Sequence, residues 1–475
     1  MSLLPRYTAR MIVLRHPRLT GFLGALALTL AACGSSNGEQ VSGACTVSAE
    51  NSALLATAKD WYLYQELLPA SIDPNGYATP STLLEALTKQ ARDAGKDRDW
   101  SFLITKQAAQ QYFTAGQSAG FGVSLLITAS NHLLVRQVFG GSPADLAGFK
   151  RGDDILAIGT DGNSLVSMAT LLATTTGLSD AISAPTPGTV RYFQVQPVTG
   201  PVVVRNPASA LYDLDPVVSQ IIPGTQVGYV HLRTFVTTAE DRLRTAFAAF
   251  QKAGVQDVIV DVRYNGGGLL DTADVLGRLL HPIEGDLMYR FAFNPKHPTD
   301  SKPVIFTAEP SGIANLRRVA FITTGDSASA SELVPNALAA YIGPNLAVIG
   351  DRTYGKPVGQ ASFDFGKQCA DLLYLISFAL ENKDGYGGYF GGLPTADFKG
   401  TSCQAADDLT HEQGDPLEAS TAAALSFVTT GACGAPIALV PAVTPGALRA
   451  DARSPASLLR PPDPTPAQRD VPGLY

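Results

Sequence analysis

The sequence predicts a multidomain α/β protein: an N-terminal helical region, a β-rich domain, and an α/β core built on parallel strands. Three observations carry the prediction. In the core, the apolar run Val227–Leu232 is followed by a helical stripe and a second apolar run, Val258–Val262, and strand–helix–strand alternation implies parallel pairing. The runs Val319–Thr323 and Leu346–Ile349 repeat the pattern around a helix-like Leu333–Tyr341. Residues 116–205 differ, with short apolar strands broken by glycine turns. With 45% apolar and 16% charged residues, the chain has material for a sizeable core, and global disorder is excluded.

Residues 1–32 carry four Arg and no acid. They end in an apolar run, Gly21–Ala32, of signal-peptide length and short for a membrane span. Leu30-Ala-Ala-Cys33 resembles the lipobox of bacterial lipoproteins. That resemblance implies an exported chain with a lipidated Cys33 as its mature first residue, anchored in a membrane and facing the periplasm. Residues 33–45 then read as a tether. Without residues 1–32 the balance is 31 basic against 42 acidic residues, or −11, which argues against a nucleic-acid partner. Four cysteines follow Cys33, and an even number in an exported chain suggests two disulfides. Local pairing of Cys369 with Cys403 leaves Cys45 with Cys433. No CxxC or His/Cys spacing marks a metal site, and no cofactor is implied.

Residues 46–115 read as helical. Leu54, Leu55, Ala58, Trp61 and Tyr62 form a stripe that Gln65 interrupts and Leu68 resumes before Pro69. Pro80-Ser-Thr opens a second helix. Residues 116–205 contain a strand, Ser118–Leu126, entered through a glycine-rich loop, then Gly141-Ser-Pro-Ala-Asp-Leu-Ala-Gly148 and Asp161-Gly162. In residues 206–440, Thr238 is expected to cap a helix that buries Leu243, Phe247 and Phe250 and stops at Gly254. Asp415-Pro-Leu-Glu418 reads as a capping box opening a helix that ends before Gly431. Residues 441–475 hold eight prolines and read as a disordered tail.

The chemistry concentrates in three stretches. Ser327-Ala-Ser-Ala-Ser331-Glu332 places small hydroxyl residues where a strand turns into a helix. Such a turn exposes one Oγ, and the helix N-terminus offers N–H groups to an oxyanion. The plain alternative is a serine-rich helix cap. A serine nucleophile needs a base, and none of the six histidines lies within this stretch. Lys356, in Tyr354-Gly-Lys-Pro-Val-Gly-Gln360, is the local candidate. A lysine acts as base when burial lowers its pKa. Gln360 is placed to orient the amine through its carbonyl. The third stretch, Val258–Leu269, runs a strand into Gly266-Gly-Gly268, where a backbone N–H approaches a ligand unobstructed.

Together these stretches resemble the C-terminal processing peptidases, also called tail-specific proteases. The resemblance rests on Asp261-Val-Arg-Tyr-Asn-Gly-Gly-Gly268, on Ser327-Ala-Ser-Ala-Ser-Glu332 and on Tyr354-Gly-Lys356 followed by Gln360. It covers roughly residues 50–440, and Ser118–Asp161 resembles a PDZ domain of the bacterial protease type. It implies a crotonase-like α/β protease core in which Ser329 is the nucleophile, Lys356 the base and Gln360 its partner. The oxyanion hole would be the Ala330 N–H and one of Gly266, Gly267 and Gly268. Phe121-Gly122-Val123 would hold the terminal carboxylate of a protein or peptide substrate. Asp261 and Arg263 read as structural supports of the glycine turn. Pro335, in the first turns of the serine helix, is expected to delay or kink it.

Two other readings remain open. One is a non-catalytic peptide- or ligand-binding lipoprotein on the same scaffold. The other is an α/β-hydrolase esterase, against which Gly325-Asp-Ser-Ala-Ser329 lacks the second glycine of G-x-S-x-G.

Overall fold

The computed structural model describes residues 36, 37, 41, 43–184, 186–439, 458–461 and 463–475. Cys33 and the apolar run before it lie outside them. The chain forms two compact units.

The first unit collects Met1–Gln107, Arg290–Pro303 and Val358–Leu380. Its helices Val47–Trp61 and Pro80–Asp93 pack on each other. The second opens on a Thr79/Thr82 capping box with Pro80 at the first helical position, as the Pro-Ser-Thr signal implies. Strand Phe102–Thr105 pairs antiparallel with Asp371–Glu381, which also pairs with Val358–Asp364. Tyr62, Trp100 and Ser101 all bond the fully buried Asp97 carboxylate. Burial raises that carboxyl above its ordinary value.

The second unit holds Ala108–Tyr289, Val304–Pro357 and Glu381–Tyr475. Its sheet is β1 (Val217–Ile221), β2 (Val227–Leu232), β3 (Asp257–Asp261), β4 (Arg318–Thr323), β5 (Leu346–Gly350) and β6 (Thr401–Gln404), in that order. Only the β1–β2 pair is antiparallel. Every residue of β2, β3 and β5 is buried, which is why these strands read as largely apolar runs, interrupted by His231 in β2 and bounded by Asp257 and Asp261 in β3. Helices α1 (Thr237–Lys252), α2 (Leu270–Leu280) and α3 (Ala330–Ile342) pack in sequence, α1 on α2 and α2 on α3. Helix α4 (Ala419–Thr430) packs on β3, β4 and β5, burying Ala424, Phe427 and Val428 against Ile259, Ile322 and Ile349.

Before this core, residues 117–205 form the PDZ-like domain. Strands Val123–Ile127, Leu133–Val138, Asp154–Gly159, Tyr192–Gln196 and Val203–Arg205 make one antiparallel sheet around Phe121, Phe149 and Phe193. Strand Gln117–Gly120 pairs instead with Ala210–Asp213.

Several expectations need correction. Helix α1 starts at Thr237 with Val236 at its cap, so Thr238 is already helical. Helix α4 starts at Ala419: Glu418, not Asp415, is its cap, accepting from the N–H groups of Ser420 and Thr421. Pro335 does not delay α3, which begins at Ala330 and runs through it. The proline tail is also not disordered where it is described, since residues 463–475 pack against the PDZ-like domain.

The cysteines pair as Cys45–Cys369 (Cα–Cα 5.2 Å) and Cys403–Cys433 (5.9 Å), and not as proximity in sequence suggested. Cys369 and Cys403 fall in different units. Cys403, on β6, and Cys433, just past α4, meet in the same apolar cluster. Peptide mapping without reduction is expected to recover these two linkages. Each closes a loop that contributes about 3–5 kcal/mol in the chain-entropy view. Recovery of Cys369–Cys403 would refute the pairing.

Candidate active site

The three serines of the cluster have different surroundings. Ser327 is fully buried, and its Oγ donates to the Val262 carbonyl (2.7 Å). Ser331 is equally buried and donates to the Asn265 carbonyl (2.8 Å). Both hydroxyls therefore fasten the serine loop to the segment leaving β3. Ser329, between them, is half-buried and caps α3. Its backbone sits at φ +55°, ψ −114°, a region a non-glycine residue enters at a cost of about 1–3 kcal/mol. Ala330 is the first residue of α3, so its N–H has no acceptor within the helix.

Glu332 joins this turn to the lysine loop. Its fully buried carboxylate accepts from the backbone N–H groups of Ser329 (2.9 Å), Gly355 (2.7 Å) and Lys356 (2.8 Å), and from the Thr353 hydroxyl. Burial raises its carboxyl, and the four donors pull the other way. Tyr354 N–H donates to the Ser327 carbonyl (2.9 Å), a further tie between the two loops. Lys356 is half-buried at the end of this loop.

The glycine turn lies against the serine. A Cβ on Gly267 (φ +112°) would meet the Ser329 Cβ at 2.8 Å and the Ala330 nitrogen at 3.1 Å, so only glycine fits there. Asn265 shapes the turn: its Oδ1 accepts from Gly267 N–H (2.9 Å) and its Nδ2 donates to the Leu232 carbonyl (2.7 Å). Below, Arg263 is fully buried in a charge network. It donates to Asp261 (2.7 Å), Glu418 (3.0 Å) and Asp407 (3.1 Å), while Tyr229 donates to Asp261 (2.7 Å). These bonds hold the Asp261 carboxyl well below its ordinary range, against burial. Tyr264, also at positive φ, donates to Asp407 and carries the Arg136 guanidinium over its ring at 4.5 Å.

The structure thus brings Ser329, Ala330, Gly267 and the Lys356 loop together. Gln360 belongs to the first unit, on strand Val358–Asp364, where its Nε2 donates to the Trp100 carbonyl (2.7 Å). Phe121 is buried in the PDZ-like core, and the N–H groups of Gly122 and Val123 point at a common acceptor. Among the described residues, the histidines are engaged elsewhere: His132 with Asp154, His281 with Asp286, His297 with Asp300 and His411 with Asp408. His231 is buried beside Arg233 and Arg263 and is driven down to about 3, chiefly by burial.

Residues 226–386, which contain the serine, lysine and glycine stretches, match the model of peptidase family S41, and residues 49–102 match the peptidase S41 N-terminal domain. Residues 226–386 are thus similar to a peptidase S41 domain, preceded by a segment similar to that family's N-terminal domain. Among curated S41-type relatives, it is 27% identical over 270 residues to the chloroplastic C-terminal processing peptidase of Tetradesmus obliquus, covering 55% of this chain and 56% of that protein. It is 24% identical over 297 residues to the carboxy-terminal processing protease CtpB of Bacillus subtilis, covering 60% and 56% respectively. The match spans about half the length of these relatives. A crystal structure described as that of an S41 protease from Bacteroides fragilis shares the fold at a TM-score of 0.61 and 24% identity, covering 81% of this chain and 97% of that one.

Sequence reasoning missed Glu332 and Asn265 as organisers of the site. The signal for Glu332 was present: a carboxylate three residues past a capping serine is the capping-box spacing. Its reach to residues 353–356 is tertiary. Arg136 was also missed, because nothing near it in the sequence points to the serine loop, where it pairs with Asp326.

Proposed function

We propose that this chain is an exported serine endopeptidase that hydrolyses peptide bonds of protein substrates taken by their C-terminus. Ser329 Oγ attacks the scissile carbonyl while Lys356 takes its proton. The Ala330 N–H and an N–H of the Gly266–Gly268 turn hold the oxyanion. Lys356 then protonates the leaving amine. Water, deprotonated by the same lysine, attacks the acyl-enzyme and frees Ser329. Gln360 orients the lysine amine, and Gly122 and Val123 receive the substrate's terminal carboxylate. What carries the reading is the contrast within the serine cluster. Two hydroxyls are buried in backbone bonds, while the third is half-exposed on a strained helix cap against the glycine turn.

Active-site titration with a serine-directed reagent tests it. One equivalent is expected to attach at Ser329, with none in Ser329→Ala, and casein hydrolysis is expected to fall in parallel. A folded wild type that neither labels nor cleaves would favour a binding protein on this scaffold. The lipobox resemblance adds a membrane-anchored location. Mass spectrometry of the mature N-terminus is expected to find acylated Cys33, and an unmodified terminus elsewhere would remove the anchor.

A further inference from the structure

The last segment of this sequence is built into the fold. Pro466–Asp470 form a short helix, α5, capped by Thr465. Beyond it the chain lies antiparallel to strand Val123–Ile127, with Leu474 opposite Ser124. Leu125 N–H donates to the Gly473 carbonyl (2.9 Å), and Tyr475 N–H donates to the Val123 carbonyl (2.9 Å). The N–H groups of Gly122 (2.7 Å) and Val123 (3.0 Å) converge on the Tyr475 carbonyl oxygen. This is strand addition to a sheet edge, with the Tyr475 carbonyl held by the Gly122 and Val123 N–H groups. The Tyr475 side chain is buried in the same apolar cluster as Phe121 and Val123, and its hydroxyl donates to the Leu459 carbonyl (2.6 Å).

The same segment reaches the serine site. The Asp470 carbonyl accepts from Gly266 N–H (2.5 Å), on the glycine turn itself. The Asp470 Oδ2 is buried without a hydrogen bond of its own, and Lys356 is among the charges acting on that carboxyl. Burial pushes it up to about 6, while Lys356 and Tyr112 favour its ionised form. Between the two contacts, the Pro472 carbonyl accepts from Ser124 Oγ (3.1 Å) and from the Arg136 guanidinium. Arg136 also pairs with Asp326 in the serine loop.

We infer that residues 463–475 are an internal ligand, which fills the peptide groove with Gly473–Tyr475 and covers the serine site with Asp470, holding the chain inactive while docked. The inference rests on the peptidase reading for its effect on activity, but not for its binding claim. Two physical effects combine. The Asp470 backbone occupies an N–H of the turn where a substrate carbonyl would sit. Its carboxylate also favours the ammonium form of Lys356, and an ammonium has no lone pair with which to accept the serine proton. Being tethered, the segment competes at an effective concentration of order millimolar. A free peptide ending must exceed that to open the site.

The test uses the purified chain, its last residue fixed by intact mass, beside two variants. One is truncated after Arg460. The other is Gly473→Ala: Gly473 sits at φ +71°, and a Cβ there would lie 2.3 Å from the Leu125 carbonyl oxygen, so the substitution expels the segment while Leu459 and Tyr475 stay in the chain. Circular dichroism checks that all three are folded. The probe is the peptide Asp-Val-Pro-Gly-Leu-Tyr, residues 470–475. Both variants are expected to bind it roughly tenfold or more tightly than the intact chain, and to label Ser329 faster by a similar factor. The C-terminally amidated twin is expected to bind all three weakly. Equal peptide affinity in the three folded proteins would overturn the inference. Unequal affinities with no labelling of Ser329 in any protein would uphold the internal ligand and sink the peptidase reading. Labelling at one rate in all three, with equal affinities, would do the reverse.

Discussion

Lys356→Arg is expected to lower the rate of Ser329 acylation by roughly 10²- to 10⁴-fold, the usual worth of a general base. The substitution keeps the charge and much of the length. It removes the one property a base needs, since a guanidinium does not lose its proton in the working range. The wild-type rate should rise with pH as the lysine ammonium deprotonates, then level off. The arginine variant should stay low throughout. Lys356 N–H is held by Glu332, so the backbone of the loop has a reason to stay in place in the variant. Gln360→Ala should lose a smaller factor, because it removes orientation and not the base. The measurement is kcat on an unfolded protein substrate across pH, with folding checked by circular dichroism. Substantial activity in Lys356→Arg would falsify the serine/lysine assignment. Among the described residues, the histidine–aspartate pairs of His132, His281, His297 and His411 do not include Ser329.

Glu332→Ala is expected to destabilise the second unit by about 3 kcal/mol or more and to abolish labelling of Ser329. Three backbone N–H groups and the Thr353 hydroxyl end on this one carboxylate. Removing it leaves buried donors without acceptors and frees the Ser329 turn to relax from its strained φ. Glu332→Gln keeps the volume but turns an amide towards donors, so it should rescue little. The pH dependence has a defined sign. Burial raises the folded-state value of Glu332 above the ordinary carboxylate value. Such a group favours the folded state most below its unfolded value, and loses that contribution as pH rises through the folded one. The stability lead of wild type over Glu332→Gln should therefore narrow as pH rises from the ordinary carboxylate value through the raised folded-state value. Urea unfolding at several pH values measures it. A variant as stable as wild type, labelling at the same rate, would refute the anchoring role.

The parallel core was legible because β2, β3, β4 and β5 are almost wholly buried, so apolar residues fill most of their positions. The ends of helices were less so. Thr238 looked like a cap because its side chain suits one, yet the cap falls two residues earlier, on Val236, which offers no side-chain bond. Pro335 looked disruptive, yet α3 runs unbroken through it, its first turn fixed by Glu332. Composition misled at the C-terminus: a proline-rich segment lacks hydrogen bonds of its own, but residues 473–475 borrow them from a sheet edge.

The sequence by itself determined the mixed helix-and-strand fold class and the parallel strands of the core. It did so because strand burial, helix periodicity and glycine turns are local properties that leave local patterns. Only the tertiary structure decided which of three adjacent serines stays partly exposed, since that depends on the Val262 and Asn265 carbonyls some 65 residues away. Only it decided the cysteine pairs, because pairing follows distance in space and Cys45 meets a partner 324 residues on. The contact of Asp470 with the glycine turn is of the same kind, a hydrogen bond between residues that no spacing in the chain connects.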